Sequence, residues 1–212
     1  ISGFTAGVAH EIKNPLNSLS LLFEMLGRKA RADMSEDIAL GKGEVERIAR
    51  TIDRFSETIR PLALRREAVP LASLLESVRT ALGEEAEAKG VPVRVAVDPP
   101  ALKASVDRDL LAQALSNLVR NALEATDRGE IRVSAAGRKK SVVIRVEDTG
   151  MGLPPEDLDR IFEPFHSSKP SGLGVGLFLV RNIVQAHGGT IAASPRPGGG
   201  SVFTIELPGG SA

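Results

Sequence analysis

The stretch AHEIKNPLNSL, residues 9–19, sets His10, Glu11 and Asn14 directly ahead of Pro15. Around it, Ile1, Phe4, Val8, Ile12, Leu16, Leu19, Leu22, Phe23 and Leu26 recur at the three-and-four spacing of one helical face. His10 is two residues from both Val8 and Ile12, about 200° around the helix from each, so it projects away from the apolar stripe. Asn14 falls one turn later beneath His10, with Glu11 offset toward the flank. Pro15 cannot donate to the Glu11 carbonyl, so a bend or a loosened turn is expected beside His10. An exposed imidazole with a neighbouring carboxylate is a candidate nucleophile, since the carboxylate can hold the tautomer and accept the other ring proton. The same spacing, taken alone, also describes a solvated surface histidine.

A second group of polar residues lies far downstream. Asn117, Asn121 and Glu124 are spaced i, i+4, i+7, one polar stripe on a helix whose opposite face is Leu110, Leu111, Ala114, Leu115, Leu118, Val119 and Ala122. Amide and carboxylate oxygens on one stripe can ligate a hard cation such as Mg²⁺, which takes its remaining ligands from water and phosphates. A plain solvated face has the same pattern. DTGMGLP, residues 148–154, follows a strand at once: Gly150 and Gly152 permit close backbone approach, and Asp148 at the strand end can accept a hydrogen bond from an amino group. GLGVGL, residues 172–177, opens a helix, whose free N–H groups and dipole favour a phosphate. It is neither a P-loop, having no GK[ST] end, nor a dinucleotide fingerprint, since no strand precedes it. Between the two glycine motifs, IFEPFHSSKPS (161–171) reads as a lid held at its base by Phe162 and Phe165 and carrying His166, Ser167, Ser168 and Lys169.

The elements that must position these residues fall into two groups. The long N-terminal helix, a polar link near residues 29–35 and a second helical pattern through Ile38, Val45, Ile48, Ile52, Phe55 and Ile59 predict an antiparallel hairpin. A two-helix layer cannot bury both apolar stripes, so pairing of two copies into a four-helix bundle is expected. Past Leu62, the pattern predicts a helix over 71–89, a strand over 91–97, a helix over 106–126 with Asp107 as N-cap, strands EIRVSAA and SVVIRVED around a GRKK turn, a helix from about Val175 to Ala186 closed by Gly188 and Gly189, and strands TIAASP and SVFTIEL. Without strict βαβ alternation, this is an α+β arrangement with helices on one face of a mixed sheet. The two domains are expected to meet near residues 62–70.

The bulk numbers allow this division. A chain of 212 residues accommodates two modest domains. Lys plus Arg equal Asp plus Glu at 27 each, so the charge balance points to neither nucleic acid nor an acidic membrane surface. The absence of cysteine excludes disulfides and thiolate metal sites and fits a reducing compartment. No apolar run approaches the roughly 20 residues that span a bilayer. An opening on Ile1, already in helical pattern, predicts further sequence upstream.

Taken in order, AHEIKNPL, NLVRNALEA, DTGMGLP, FEPF and GLGVGLFLVRNIVQAHGG resemble the motifs of the sensor histidine kinases of two-component signalling, across essentially the whole chain. The HExxN form and the short lid are most similar to the soluble nitrogen-regulation type. The resemblance implies a dimerisation and histidine-phosphotransfer domain over 1–64 and a catalytic ATP-binding domain over 65–212, an α/β sandwich with a mixed sheet of the gyrase and histidine-kinase type. It makes His10 the phosphoacceptor, Glu11 its acid/base partner and Asn14 the residue that positions water in a phosphatase reaction. Asn121 would ligate Mg²⁺ with Asn117 beside it, Asp148 would read the adenine amino group, Gly150 and Gly152 would border the adenine, and Gly172, Gly174 and Gly176 would shape the phosphate end and lid hinge. Lys169 would reach the γ-phosphate.

Implied cofactors are ATP and Mg²⁺. Implied partners are a second copy of the chain and the receiver domain of a response regulator, with no nucleic acid and no membrane contact by this stretch. The implied location is cytoplasmic, with anchoring possible through upstream sequence. Glu124 stands where the family has a basic residue. Two rivals remain: a gyrase-like ATPase, whose general-base glutamate would sit at Asn117, and a non-catalytic dimeric scaffold that binds ATP or nothing.

Overall fold

The computed structural model describes residues 18–27, 34, 38–43, 45–46, 62–158, 160–166 and 174–209. The chain divides into two compact units, Ile1–Pro61 and Leu62–Ala212.

In the first unit, residues 18–27 and 38–43 are helical and pair antiparallel, as the spacing predicts. Gly27 faces Ile38, Gly41 faces the Phe23 ring, and Lys42 Nζ lies 3.6 Å from Glu24 Oε1. Val45 is buried, whereas Leu19, Leu22, Leu26 and Leu40 remain exposed. His10, Glu11, Asn14, the bend expected at Pro15 and the link near 29–35 lie outside the described residues. Among the described residues no helix is long and apolar enough to cross a membrane.

The second unit runs β1 (Glu67–Pro70), α1 (Leu71–Ala81), α2 (Gly83–Lys89), β2 (Val93–Asp98), β3 (Lys103–Val106), α3 (Arg108–Ala125), β4 (Ile131–Arg138), β5 (Ser141–Asp148), a 3₁₀ turn (Pro155–Asp157), α4 (Gly176–Ala186), β6 (Thr190–Pro195) and β7 (Ser201–Pro208). The single helix expected over 71–89 is two, broken at Leu82, whose φ of −107° and ψ of 8° leave the helical region. Glycine at position 83 weakens propagation through that point.

Five strands form one mixed sheet in the order β2-β4-β5-β7-β6; β2 and β4 are parallel and every other pair is antiparallel. One face is apolar: Ile131, Val133 and Ala135 of β4, Val142, Ile144 and Val146 of β5, and Phe203, Ile205 and Leu207 of β7 are buried. Leu71, Leu74, Leu75 and Val78 of α1, the stripe Leu111 to Leu123 of α3, and Val180, Ile183 and Val184 of α4 pack on it in the same core. Each buried Leu, Ile, Val or Phe among them contributes about 1.5–3 kcal/mol on burial. The result is the expected two-layer arrangement.

A separate two-stranded sheet, β1 with β3, pairs Glu67 with Val106 and Pro70 with Lys103. It brings the start of the second unit against the start of α3, and Leu71 N–H donates to Leu102 O at 3.0 Å where α1 begins.

Candidate active site

The period of two along β5 puts Asp148 on the same face as Val142, Ile144 and Val146, the face covered by the helices. Asp148 ends the strand at only 2% exposure. Its Oδ1 accepts the N–H of Gly150 at 2.9 Å and the N–H of Ser201 at 3.2 Å. Among the described residues its Oδ2 takes no hydrogen bond, so one carboxylate oxygen is fixed in place and the other is left for a donor.

The turn after Asp148 docks on the end of α3. Met151 N–H donates to Ala125 O at 3.2 Å, and a Cβ on Gly150 would collide with that same carbonyl. Glycine is therefore required at 150 by close approach rather than by its own dihedral. Beside it, Thr126 is fully buried, and its Oγ1 has no hydrogen-bond partner among the described residues. The other wall of the turn is the β6–β7 hairpin. Gly200, at φ +96°, presses against the backbone of Asp148, and Gly152, at φ +78°, faces Gly200 O. Thr149 Oγ1 closes the near side, accepting from Glu130 N–H at 3.0 Å.

Helix α3 begins where expected: Asp107 Oδ1 accepts Leu110 N–H at 3.1 Å. Its other oxygen, Oδ2, accepts Arg65 N–H at 2.9 Å. Burial pushes the Asp107 pKa up, but the hydrogen bonds from Arg65 and Leu110 outweigh it and hold the carboxyl below the usual aspartate range. At the far end, Lys89 Nζ from α2 donates to Leu123 O at 2.6 Å and to Thr126 O at 3.3 Å, placing a cation on the negative pole of the helix.

On this helix Asn117 and Asn121 are half-buried and Glu124 is exposed, so the polar stripe is real but graded. Asn121 is four residues before Ala125, the docking point of the Asp148 turn, or about 6 Å along the axis. The structure thus brings Asp148, Gly150 and Gly152 to the C-terminal end of α3, with Asn121 one turn before that end and Asn117 at mid-helix.

Helix α4 packs along α3. It starts at Gly176 with Val175 as N-cap. Among the described residues no side chain caps this start, and nothing lies within 4 Å of where a Cβ on Gly176 would sit. Gly174, at φ +64°, lies against the backbone of His166. Phe162, expected at the base of the lid, is buried edge-to-face on Phe203 with ring centroids 6.4 Å apart. Phe165, the other aromatic expected there, has φ +65° and is 49% exposed. His166 Nε2 lies 3.3 Å from Asp157 Oδ1. Lys169 and Gly172 lie outside the described residues.

The donor set fits a nucleotide with Mg²⁺. Among the described residues no group of three or more His, Cys, Asp or Glu could hold a metal alone. The Asn117 and Asn121 amides on α3 are oxygen donors that suit an ion taking most of its ligands from phosphates and water. Sequence reasoning missed Gly200 and Ser201, which complete the Asp148 turn from 52 and 53 residues away, and Asp107 as a partner of Arg65; none of these carries a local signal.

Two family models match the chain: His Kinase A (phospho-acceptor) domain over residues 1–61, and Histidine kinase-, DNA gyrase B-, and HSP90-like ATPase over residues 106–211, half of the chain. Sensor histidine kinase ZraS of Escherichia coli (strain K12) is 35% identical over 206 residues, covering 96% of this chain and 44% of that protein. The chain therefore spans less than half the length of this relative. Among solved structures, full-length ShkA in complex with AMPPNP superposes with a TM-score of 0.74 at 26% identity, over 100% of this chain and 47% of that one. Histidine kinase ThkA in complex with response regulator protein TrrA superposes with a TM-score of 0.71 at 27% identity, over 98% and 61%. With the phospho-acceptor domain model matched over its first 61 residues and the ATPase model over the stretch that holds the Asp148 turn and the asparagine helix, this chain belongs to the sensor histidine kinases.

Proposed function

We propose that the chain moves the γ-phosphoryl group of ATP onto its own His10 and from there onto an aspartate of a response-regulator receiver domain. The observation that carries this reading is the convergence of the half-free Asp148 carboxylate and the C-terminal end of the helix that carries Asn117 and Asn121. That convergence occurs in a chain whose first 61 residues match a phosphoacceptor domain.

Asp148 Oδ2 would accept the adenine amino group, with Gly150 and Gly152 bordering the ring. Asn121 would ligate Mg²⁺ with Asn117 beside it, and the metal would offset phosphate charge. Gly174 and Gly176 shape the phosphate end, and Lys169 and Gly172 are assigned there by resemblance. In the transfer, an imidazole nitrogen of His10 attacks the γ-phosphorus, the bond to the bridging oxygen breaks, ADP leaves with that electron pair, and Glu11 takes the ring proton. Little more is asked of the second unit than positioning and charge neutralisation. In the reverse role, Asn14 positions the water that attacks a phosphorylated receiver aspartate.

ATP hydrolysis is disfavoured because the Asn117 amide cannot take a proton from water. The exposed Leu19, Leu22, Leu26 and Leu40 support pairing with a second copy into a four-helix bundle, and light scattering at monomer mass contradicts that pairing. The complexes of ShkA with AMPPNP and of ThkA with a response regulator support the nucleotide and partner classes. Peptide mapping after incubation with ATP and Mg²⁺ tests the reading: phosphate on the His10 peptide supports it, and phosphate elsewhere overturns it.

A further inference from the structure

His187 is a buried titratable side chain that the phosphotransfer chemistry does not use, 1% exposed at the end of α4. Its Nε2 accepts the N–H of Asp107 at 2.9 Å, the residue that caps α3, across 80 positions of sequence. Its Nδ1–H donates to Ile183 O at 2.8 Å, one turn back in its own helix. These two bonds require the neutral ring with the proton on Nδ1. The Asp107 end is itself held, since its carboxylate takes the N–H groups of Leu110 and Arg65.

We propose that His187 is a positioning residue for the nucleotide, setting the axial register of α3 against α4. The proposal rests on the reading of the ATP site given above. Apolar residues of both helices, Leu111 to Leu123 on α3 and Val180, Ile183 and Val184 on α4, share one core where the two pack. Apolar contact is non-directional and tolerates sliding along the axis. A directional bond at one end of the pair does not. The start of α3 meets the end of α4 at this bond, so the two helices run antiparallel. Asn117 is about 15 Å from Asp107 along α3, and Gly176 is about 16 Å from His187 along α4. The bond therefore fixes, from the opposite end of both helices, how Asn117 and Asn121 stand relative to the helix start that would receive the phosphates. Slippage of an ångström there separates the two sides of the polyphosphate site.

Two substitutions separate this role from simple packing. His187→Gln keeps an acceptor close to the Nε2 position, whereas His187→Asn keeps polarity only near Nδ1. With AMPPNP and Mg²⁺ as the probe, and both variants melting cooperatively above the assay temperature, His187→Asn is expected to bind at least about tenfold more weakly than wild type and His187→Gln within about threefold. Equal affinity of His187→Asn and wild type, or equal loss in both variants, overturns the proposal. A second measurement needs no variant. By reciprocity, AMPPNP must slow hydrogen exchange at the Asp107 amide more than at the core amides of β4. Equal slowing at both overturns the proposal as well. A wild-type chain that binds no AMPPNP overturns the ATP-site reading itself, and the positioning role with it.

Discussion

Ser201 donates its backbone N–H to Asp148 Oδ1 at 3.2 Å, and the same oxygen takes Gly150 N–H at 2.9 Å. Two segments far apart in sequence thus hold one oxygen of a buried carboxylate while the second stays available. Asp148→Asn keeps an acceptor oxygen for the two N–H donors but replaces the other oxygen with an amide that cannot accept. Its expected effect is a loss of ATP affinity of about 10- to 100-fold, the worth of a hydrogen bond to a charged group, read by calorimetric titration.

The same turn sets a stability contrast between neighbouring glycines. Gly199 and Gly200 both have positive φ, +104° and +96°, but a Cβ at 199 meets nothing within 4 Å among the described residues, whereas one at 200 strikes the Asp148 carbonyl. Gly199→Ala should carry only the backbone strain, about 1 kcal/mol. Gly200→Ala should cost about 2 kcal/mol or more in denaturant unfolding and should weaken ATP binding besides, because Asp148 has to move. Equal costs at the two positions contradict the close approach.

Asn121 is assigned to the metal side of the site, so its removal should act through Mg²⁺. In the wild-type chain, chelation by EDTA should weaken nucleotide binding. In Asn121→Ala the difference between Mg²⁺ and EDTA should shrink to less than about threefold, while the melting temperature stays within a few degrees because the side chain is only half-buried. Calorimetric titration with and without Mg²⁺ reads the first effect and thermal melting the second.

Asp107 gives a pH signature. Its folded pKa lies below the ordinary aspartate value of about 3.9, so the ionised carboxylate stabilises the fold above that value and the contribution is lost as pH falls through the lower folded one. Asp107→Ala should therefore cost about 1–2 kcal/mol, the worth of an N-cap, at a constant level from pH 5 to 8. The gap between wild type and variant should narrow only below pH 4. A gap that widens with acid contradicts this balance of burial against backbone hydrogen bonds.

What could be read along the chain was what local periodicity carries. The α3 stripe, its Asp107 cap, the β4–β5 hairpin around GRKK and the close of α4 at Gly188 and Gly189 all stand as their patterns predict. The strands β1 and β3 escaped because each has only four residues of mixed polarity and they pair across 39 positions, Glu67 with Val106. Asp148, Gly150 and Asn121 were legible as chemistry, but Gly200 and Ser201 were not, since a glycine needed for close approach looks like any turn glycine until its neighbour is known. Phe165 illustrates the converse. Its apolar character gave no sign of the positive φ or of the 49% exposure that the structure shows, whereas Phe162 is buried edge-to-face on Phe203.

The most direct test of the central claim is labelling of the chain by γ-labelled ATP with Mg²⁺, with α-labelled ATP and His10→Gln as controls. The account predicts label from the γ position only, absent in His10→Gln, labile in acid and stable in base as a phosphoramidate is. Label that survives acid, or that persists in His10→Gln, would contradict it.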